Sequence, residues 1–227
     1  MLRYVIEKHG ESRSFPGEEP QTHPLLVNAA DHPETHGPRD VLVLIGPAAG
    51  QALAGVGNRA AWRAILVELG TECLGVHTGE ERGTEGSNVL GFARFRMGSA
   101  LPSALVELVR QPGTHPDAIS AAREVFEGNG LKVAICNDFP GRIVDRLIRP
   151  YLNAALRRLD EKLASADDMD TTLRLGLGYP EGPISLLERT GLAEHHDVTL
   201  ALQLALGDSA YAPARRAQVA KARQSRG

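Results

Sequence analysis

The sequence DFPGRIVDRLIRPYLNAALRRLDE, from Asp138 to Glu161, decides how the C-terminal part of this chain folds. After Gly141, apolar residues recur every three or four positions, which predicts one long amphipathic helix. Pro150 lies inside this pattern and is expected to kink the helix or to break its hydrogen-bond ladder locally. The expected buried stripe comprises Val144, Leu147, Ile148, Tyr151, Leu152, Ala155, Leu159 and Leu163.

A second block, LGLGYPEGPISLLERTGL from Leu175 to Leu192, continues the helical pattern. Ser165 and Asp168 give a capping signal for a second helix that ends near Gly176, and Pro183 suits the first turn of a third. Residues 195–207 predict a fourth helix. The basic tail at residues 213–227 is expected to be solvated and frayed.

The chain before residue 138 alternates strand and helix signals, which predicts a parallel α/β sheet. The run DVLVLIG at residues 40–46 is apolar throughout and suits a buried strand. Residues 1–38 are polar and are expected to be partly irregular, with a short strand at 2–9. Further strands are expected at 72–77, 88–95 and 131–136, helices at 60–70 and 117–128, and an additional apolar segment at 104–110.

Composition excludes several classes of protein. A net charge of -3 and a pI near 6.2 give no case for nucleic-acid binding. The sequence has no apolar run long enough for a membrane span and no signal-peptide core, so a cytoplasmic protein is expected. Cys73 and Cys136 lie in apolar runs, where buried free thiols are expected. Four histidines in the N-terminal segment, at positions 9, 23, 32 and 36, match no metal-ligand spacing, so no metal site is expected.

Both quoted blocks resemble the C-terminal helical domain of the 3-hydroxyacyl-CoA dehydrogenase family. The usual family forms are close to D-x-PGFIVNRLLxPYLNEA and LGxGxPMGPFELxDxxGLD, and the spacing inside each block matches without a gap. The chain resembles the second half of phenylacetate-pathway-type 3-hydroxybutyryl-CoA dehydrogenases. The resemblance implies α/β plus all-α architecture: a truncated (reduced) Rossmann-like parallel sheet over residues 1–137, followed by a dehydrogenase-type helical bundle over 138–227.

The expected cofactor of the family, NAD, requires a glycine-rich turn directly after the first strand, so that backbone N–H groups can approach the pyrophosphate. The candidates Gly46-Pro-Ala-Ala-Gly50 and Gly55-Val-Gly57 both lack the G-x-G-x-x-G spacing. Pro47 also removes one donor from such a turn. The run at 40–46 aligns better with the family's fourth strand than with its first. No bound cofactor is therefore expected.

The resemblance also implies catalytic positions, and most of them are changed. Glu107 stands where the family has a Glu that orients a catalytic His. Counting back about twelve residues to the His reaches Phe95, and anchoring on Gly91 instead reaches Ala93. Asp145 stands at a substrate-binding Asn, and salt bridges to Arg142, Arg146 or Arg149 are its expected role. The family's substrate-binding Ser falls on Gly79, in the turn His77-Thr78-Gly79. His77 is expected to be structural, and Glu107 solvated or salt-bridged.

Two functions follow. The first is a degenerate family module that acts in dimerisation or assembly, as a homodimer through the helical domain. The faces expected to form the interface, or to dock on the α/β module of the same chain, carry Leu147, Tyr151, Leu159, Val198, Leu202 and Leu206. The second is an active or partner-completed oxidoreductase that uses NAD and binds an acyl-CoA, in fatty acid or aromatic acid breakdown. Whether the chain stands alone or belongs to a larger dehydrogenase stays open.

Overall fold

A computed structural model describes residues 2–17, 23–29 and 40–226 of the chain. The chain divides into two compact units. The α/β unit comprises Met1–Phe95 and Pro102–Arg142, and the helical unit comprises Arg96–Leu101 and Ile143–Gly227. The break between them follows Arg142, whereas the sequence placed the boundary before Asp138.

The α/β unit contains a six-stranded sheet whose strands lie side by side in chain order. Strands β1 to β4 run parallel, β5 is antiparallel to β4, and β6 is parallel to β5. This mostly parallel sheet confirms the Rossmann-like class expected from the sequence. The strands are β1 (Tyr4–Lys8), β2 (Val41–Ile45), β3 (Ala64–Glu68), β4 (Val89–Arg94), β5 (Leu105–Arg110) and β6 (Lys132–Asn137).

Two apolar clusters lie on opposite faces of this sheet. One contains the buried side chains of a long helix, α4 (Pro116–Gly128), with those of a short helix, α1 (Pro24–Val27). The other contains residues of α2 (Ala49–Ala52) and of the segment before α3 (Gly75–Thr78). Because both faces are covered, the central strands read as continuous apolar runs in the sequence.

Two sequence predictions in this unit are wrong. Residues 60–70 were expected to form a helix, but Ala64–Glu68 is strand β3, with all five residues buried. An apolar run of this length is compatible with a buried helix or a buried strand. Hydrogen-bonded pairing with β2 and β4 stabilises the strand. Residues 72–77 were expected to form a strand, but Gly75–Thr78 is helical. Here the Asp138 carboxylate accepts the backbone N–H groups of Leu74 and Gly75, at 2.6 and 2.7 Å.

The N-terminal segment contributes more to the core than its polar composition suggested. Ser12, Ser14, Phe15, Leu25 and Leu26 are all buried. His9 and His23 belong to this ordered part, whereas His32, His36 and much of the predicted loop lie outside the described residues. Within the ranges that the structure describes, no three His, Cys, Asp or Glu side chains come together as a metal site.

The helical unit contains five helices: α5 (Val144–Asp160), α6 (Ala166–Leu177), α7 (Pro183–Thr190), α8 (Leu192–Leu206) and α9 (Arg215–Gln224). The predicted cap of α6 is present, because the Ser165 hydroxyl accepts the Asp168 N–H at 3.1 Å. Pro183 occupies the first turn of α7, and α5 continues through Pro150. None of the helices in residues 2–17, 23–29 and 40–226 has the length and apolarity needed to cross a membrane.

The buried face of α5 differs from the predicted apolar stripe. Leu147, an expected core residue, is 73% exposed, and Leu163, which follows the helix, is 70% exposed. The side chains that the helix buries are Asp145, Arg149, Leu152, Asn153, Ala155 and Leu156. The prediction failed because an apolar pattern cannot reveal a helix that turns three polar residues inward.

The basic tail is also ordered, which corrects the expectation of a frayed end. Arg215–Gln224 forms α9, and Ala217 on this helix is fully buried. Arg216 Nε lies 2.9 Å from Asp160 Oδ1 at the end of α5, and Lys221 Nζ lies 2.6 Å from Asp197 Oδ2 on α8. Arg216 and Lys221, two of the positive charges that suggested a solvated tail, therefore pair with carboxylates on two other helices.

Candidate functional site

Glu107 lies in the middle of β5, where the sheet changes from parallel to antiparallel pairing. In the β4–β5 register it stands directly opposite Ala93. Residues opposite each other in an antiparallel pair point to the same face, with Cβ atoms about 5 Å apart. Glu107 and Ala93 are 2% and 4% exposed. A carboxylate and a methyl group thus face each other inside the sheet.

Arg142 compensates the buried charge of Glu107. Arg142 Nε lies 3.5 Å from Glu107 Oε2, and the two side chains are 4% and 2% exposed. Arg142 Nη2 also donates to the Gly70 carbonyl at 2.7 Å. Within the described residues, Arg142 Nε and Nη1 have no hydrogen-bond partner. The pair is therefore buried but incompletely hydrogen-bonded.

Cys136 and Asp138 lie close to this ion pair. Burial, with Glu107 as the second cause, raises the pKa of the Cys136 thiol to about 11. The thiol is therefore protonated at neutral pH and is a poor nucleophile. The Asp138 carboxylate is held by the N–H groups that begin α3. Neither group is arranged to accept a proton from a substrate.

Asp145 belongs to the helical unit, and its partner is Arg149. Arg149 Nε donates to Asp145 Oδ1 at 2.8 Å, one helical turn away. Arg149 is fully buried, so the pair is a structural element of the helical unit. The two candidate catalytic residues, Glu107 and Asp145, thus fall in different units, and each has an arginine of its own.

The Arg149 guanidinium begins a chain of buried hydrogen bonds that the sequence did not reveal. Its Nη1 lies 3.0 Å from His195 Nδ1, and His195 Nε2 lies 3.0 Å from Asn153 Oδ1. Since a guanidinium can only donate, Nδ1 accepts and Nε2 carries the hydrogen. Asn153 Nδ2 then donates to the carbonyls of Ala210 and Ala212. Burial, followed by the charge of Arg149, lowers the pKa of His195 to about 3, so the imidazole is neutral.

The comparisons with known proteins agree on one domain. Residues 141–226 match the model of the 3-hydroxyacyl-CoA dehydrogenase C-terminal domain. The C-terminal domain of this chain therefore belongs to the 3-hydroxyacyl-CoA dehydrogenase family. The matched residues include α9, so the family domain contains the basic tail as well.

The curated relatives of this dehydrogenase-family chain are much longer than the matched region. Human mitochondrial hydroxyacyl-coenzyme A dehydrogenase is 40% identical over 88 residues, 39% of this chain and 28% of the human protein. The 3-hydroxybutyryl-CoA dehydrogenase of Bradyrhizobium diazoefficiens is 34% identical over 109 residues, 48% of this chain and 37% of the relative. The match thus spans about a third of each relative.

Solved structures extend the likeness to the α/β unit. The (S)-3-hydroxybutyryl-CoA dehydrogenase of Ralstonia eutropha superposes with a TM-score of 0.65 at 22% identity, covering 81% of this chain and 65% of that one. The 3-hydroxybutyryl-CoA dehydrogenase of Escherichia coli K12 gives a TM-score of 0.54 at 23% identity, covering 70% and 32%. At these identities the likeness concerns the fold alone.

The strand register distinguishes the two residues that the resemblance proposed for the position of the family's catalytic His. Ala93 is paired with Glu107, whereas Phe95 follows the end of β4 at Arg94. The sequence alone could not choose, because the two candidates came from counting back from Glu107 and from anchoring on Gly91. Ala93 therefore lies beside Glu107, the residue that the resemblance assigns to the family's Glu.

The position assigned to the family's serine changes with the fold. Gly79 follows helix α3, and its N–H donates to the Gly75 carbonyl at 2.8 Å. It does not follow a strand, as the assignment required. His77 also lies on this helix, 3.5 Å from Glu72 through Nε2. The turn that directly follows strand β3 starts at Leu69 instead.

The first backbone N–H of the turn after β2 is hydrogen-bonded to a side chain of the same protein, Glu68. Gly46 N–H donates to Glu68 Oε2 at 2.6 Å, and the Ser14 N–H donates to Glu68 Oε1 at the same distance. Glu68 is 6% exposed. The sequence had placed Glu68 in a helix and so gave no sign that its carboxylate meets the candidate phosphate-binding turn.

Proposed function

We propose that this chain is a 3-hydroxyacyl-CoA dehydrogenase family protein without independent NAD-dependent activity, and that it acts in assembly. The observation that carries the proposal is the pairing of Glu107 with Ala93 and Arg142. Oxidation of a secondary alcohol requires a base for the hydroxyl proton, and a positioned base contributes about 10²–10⁴-fold. A methyl group cannot accept that proton.

The ion pair with Arg142 supports the same proposal. A carboxylate that orients a histidine must be available to the imidazole N–H. Glu107 instead shares its buried pocket with a guanidinium. Arg142 is held in place by the Gly70 carbonyl. The carboxylate that the family uses to support its base is thus engaged in a structural pair.

The turn after β2 supports the absence of NAD binding. Its first amide, on Gly46, is bonded to Glu68, and the next residue, Pro47, has no N–H. A pyrophosphate at this turn would meet a carboxylate in place of free donors, and like charges repel.

Formation of NADH from 3-hydroxybutyryl-CoA and NAD tests the proposal. We expect no rate above background for the purified chain, under conditions in which an active family member turns over. Adding that enzyme should give no more NADH than the enzyme alone. Turnover by the chain itself would contradict the proposal, and a rate above the sum in the mixture would favour the partner-completed oxidoreductase that the relatives' names suggest.

The assembly role is supported by leucines that the helical unit leaves exposed. Leu175 and Leu177 on α6 are 81% and 63% exposed, and Leu204 on α8 is 78% exposed. By contrast, Val198 and Leu202, which the sequence assigned to an interface, pack inside with Tyr211. Exposed apolar side chains of this kind often mark an interface, and twofold dimers are the commonest assembly.

Light scattering tests the homodimer. A dimer of the 24.3 kDa chain should have a mass of about 49 kDa. The double variant Leu175→Glu/Leu204→Glu should halve this mass, whereas Val76→Glu, which changes a 67% exposed residue of the α/β unit, should leave it unchanged. A monomeric wild-type chain at tens of micromolar would contradict the assembly role.

A further inference from the structure

Glu68 is a buried carboxylate whose two oxygens are held by different parts of the chain. Oε1 accepts the N–H of Ser14, in the segment that follows β1, and Oε2 accepts the N–H of Gly46, at the end of β2. Both distances are 2.6 Å, which is short even for a charge-assisted bond. The two amides thus converge on one oxyanion.

The backbone that presents these amides is tightly constrained. Gly46 has a φ of 104°, and a Cβ at this position would lie 2.6 Å from the His9 carbonyl oxygen. A side chain is therefore excluded by both conformation and space. On the other side, the N–H of Arg94 donates to the Ser14 hydroxyl at 3.1 Å. The donors are preorganised by contacts other than the carboxylate itself.

Arg94 supplies a fixed positive charge beside them. Its Nη1 donates to the Ser14 carbonyl at 2.8 Å, and its Nε donates to the Ser103 carbonyl at 2.7 Å. The guanidinium carbon lies 5.1 Å from the centre of the Phe15 ring. Arg94 and Glu68 also interact electrostatically. Its Nη2 donates to the Pro102 carbonyl at 3.3 Å. The guanidinium thus contributes positive charge, while the two convergent N–H groups supply the hydrogen bonds of a carboxylate receptor.

We propose that the Ser14 and Gly46 amides, with Arg94, form a small oxyanion site that the chain fills with its own Glu68 carboxylate. The site lies where β2, β3 and β4 end, and ligands of parallel α/β sheets bind outside such strand ends. Glu68 therefore acts as a built-in anion that closes this edge to phosphate-bearing molecules. The exclusion of a nucleotide from this edge rests on the proposed function, whereas the oxyanion site itself does not.

Chemical rescue of Glu68→Ala tests the site. The variant empties the position of the carboxylate and leaves two buried donors and a guanidinium. We expect formate or acetate to raise its unfolding midpoint saturably and to restore at least half of the lost stability. Leu66→Ala is the matched control, because it opens a cavity at a fully buried position of the same strand without polar donors. An inorganic phosphate arm shows whether the larger oxyanion also fits.

The rescue has clear contrary outcomes. An equal response of Leu66→Ala, or an equal rise with sodium chloride at the same ionic strength, would overturn the oxyanion site. So would the absence of any rescue in a folded Glu68→Ala variant. Because the readout is stability, such a failure leaves the turnover test of the proposed function unaffected.

A second variant covers the case in which Glu68→Ala does not fold. Glu68→Gln keeps the side-chain shape but replaces the charged acceptor. In amide NMR spectra we expect the Ser14 and Gly46 protons to move upfield, because charge-assisted bonds become neutral ones. Glu72→Gln, whose carboxylate accepts an N–H at an exposed site, should leave both signals in place. Unchanged Ser14 and Gly46 signals in Glu68→Gln would contradict the proposal.

Discussion

The two units of this molecule each bury an arginine beside a carboxylate, but they satisfy these charges to different degrees. In the helical unit, Arg149 donates to Asp145 at 2.8 Å and continues through His195 to Asn153. In the α/β unit, Arg142 approaches Glu107 only to 3.5 Å. Two of its nitrogens, Nε and Nη1, have no hydrogen-bond partner in the described ranges, compared with one nitrogen, Nη2, of Arg149.

This difference separates a connected hydrogen-bond network from a poorly hydrogen-bonded ion pair. Buried polar networks stabilise a fold when each member is hydrogen-bonded, and they cost stability when they are partly satisfied. In the helical network, hydrogen bonds of 2.8 to 3.0 Å join Asp145, Arg149, His195 and Asn153, and the network lies in the domain with the family match. The Glu107 pair is less completely hydrogen-bonded, and Glu107 is the residue that the resemblance assigns to the family's catalytic Glu.

The largest expected effect is the loss of Arg149. Arg149→Met leaves Asp145 charged and buried, and it removes the donor to His195, so unfolding should become easier by about 3–5 kcal/mol. Urea denaturation measures this change. Arg158→Met is the control, since Arg158 and Glu161 form an exposed pair that should contribute at most about 0.5 kcal/mol. A loss below about 1 kcal/mol for Arg149→Met would remove the contrast between the two units.

Glu107→Gln should have a smaller effect, about 2 kcal/mol. Arg142 keeps its bond to the Gly70 carbonyl, and the Gln oxygen can still accept from the guanidinium. The double variant Glu107→Leu/Arg142→Met should return to within about 1 kcal/mol of wild type, because a poorly satisfied buried pair can be replaced by apolar residues. A double variant less stable than Glu107→Gln would show that the pair is a well-made structural element.

A still smaller effect concerns pH. The folded pKa of His195, about 3, lies below its ordinary value of 6.5, so the unfolded chain takes up the proton first as the pH falls. The stability contributed by neutral His195 is complete above about pH 6.5 and is lost between there and about pH 3. Between pH 6 and 5 this loss should be roughly 1 kcal/mol.

The variant His195→Gln isolates this contribution. Gln can still accept from Arg149 and donate to Asn153, but it does not titrate. Urea denaturation of both proteins at pH 6 and 5 should show a shallower pH dependence for the variant by the roughly 1 kcal/mol given above. The other histidines are common to both proteins and cancel. Equal pH dependence would mean that His195 is not buried in its neutral form.

Local signals in the sequence predicted the helix ends well. Ser165 caps a helix with its side chain, Pro183 begins one with its fixed φ, and Gly207 ends one in the left-handed conformation. Each signal depends on a single residue, so it predicts a helix end without knowledge of tertiary contacts. Strand β3 was missed because the run Ala64–Glu68 fits two periodicities and only its neighbours in the sheet distinguish them.

The candidate site was predictable in part. The motif resemblance found Glu107, and its loss of a histidine partner was visible in the sequence. The choice of Ala93 over Phe95 needed the β4–β5 register. The pairing of Glu107 with Arg142, and of Gly46 with Glu68, joins residues far apart in the chain, and no spacing rule connects them.

A calorimetric titration with NADH tests the central claim most directly, because no hydride can be transferred without a bound nicotinamide. With Gly46 bonded to Glu68 and Pro47 lacking a donor, we expect no saturable heat below millimolar NADH, while an active family member titrated in parallel shows binding. A dissociation constant in the micromolar range would contradict the claim that this chain lacks independent NAD-dependent activity.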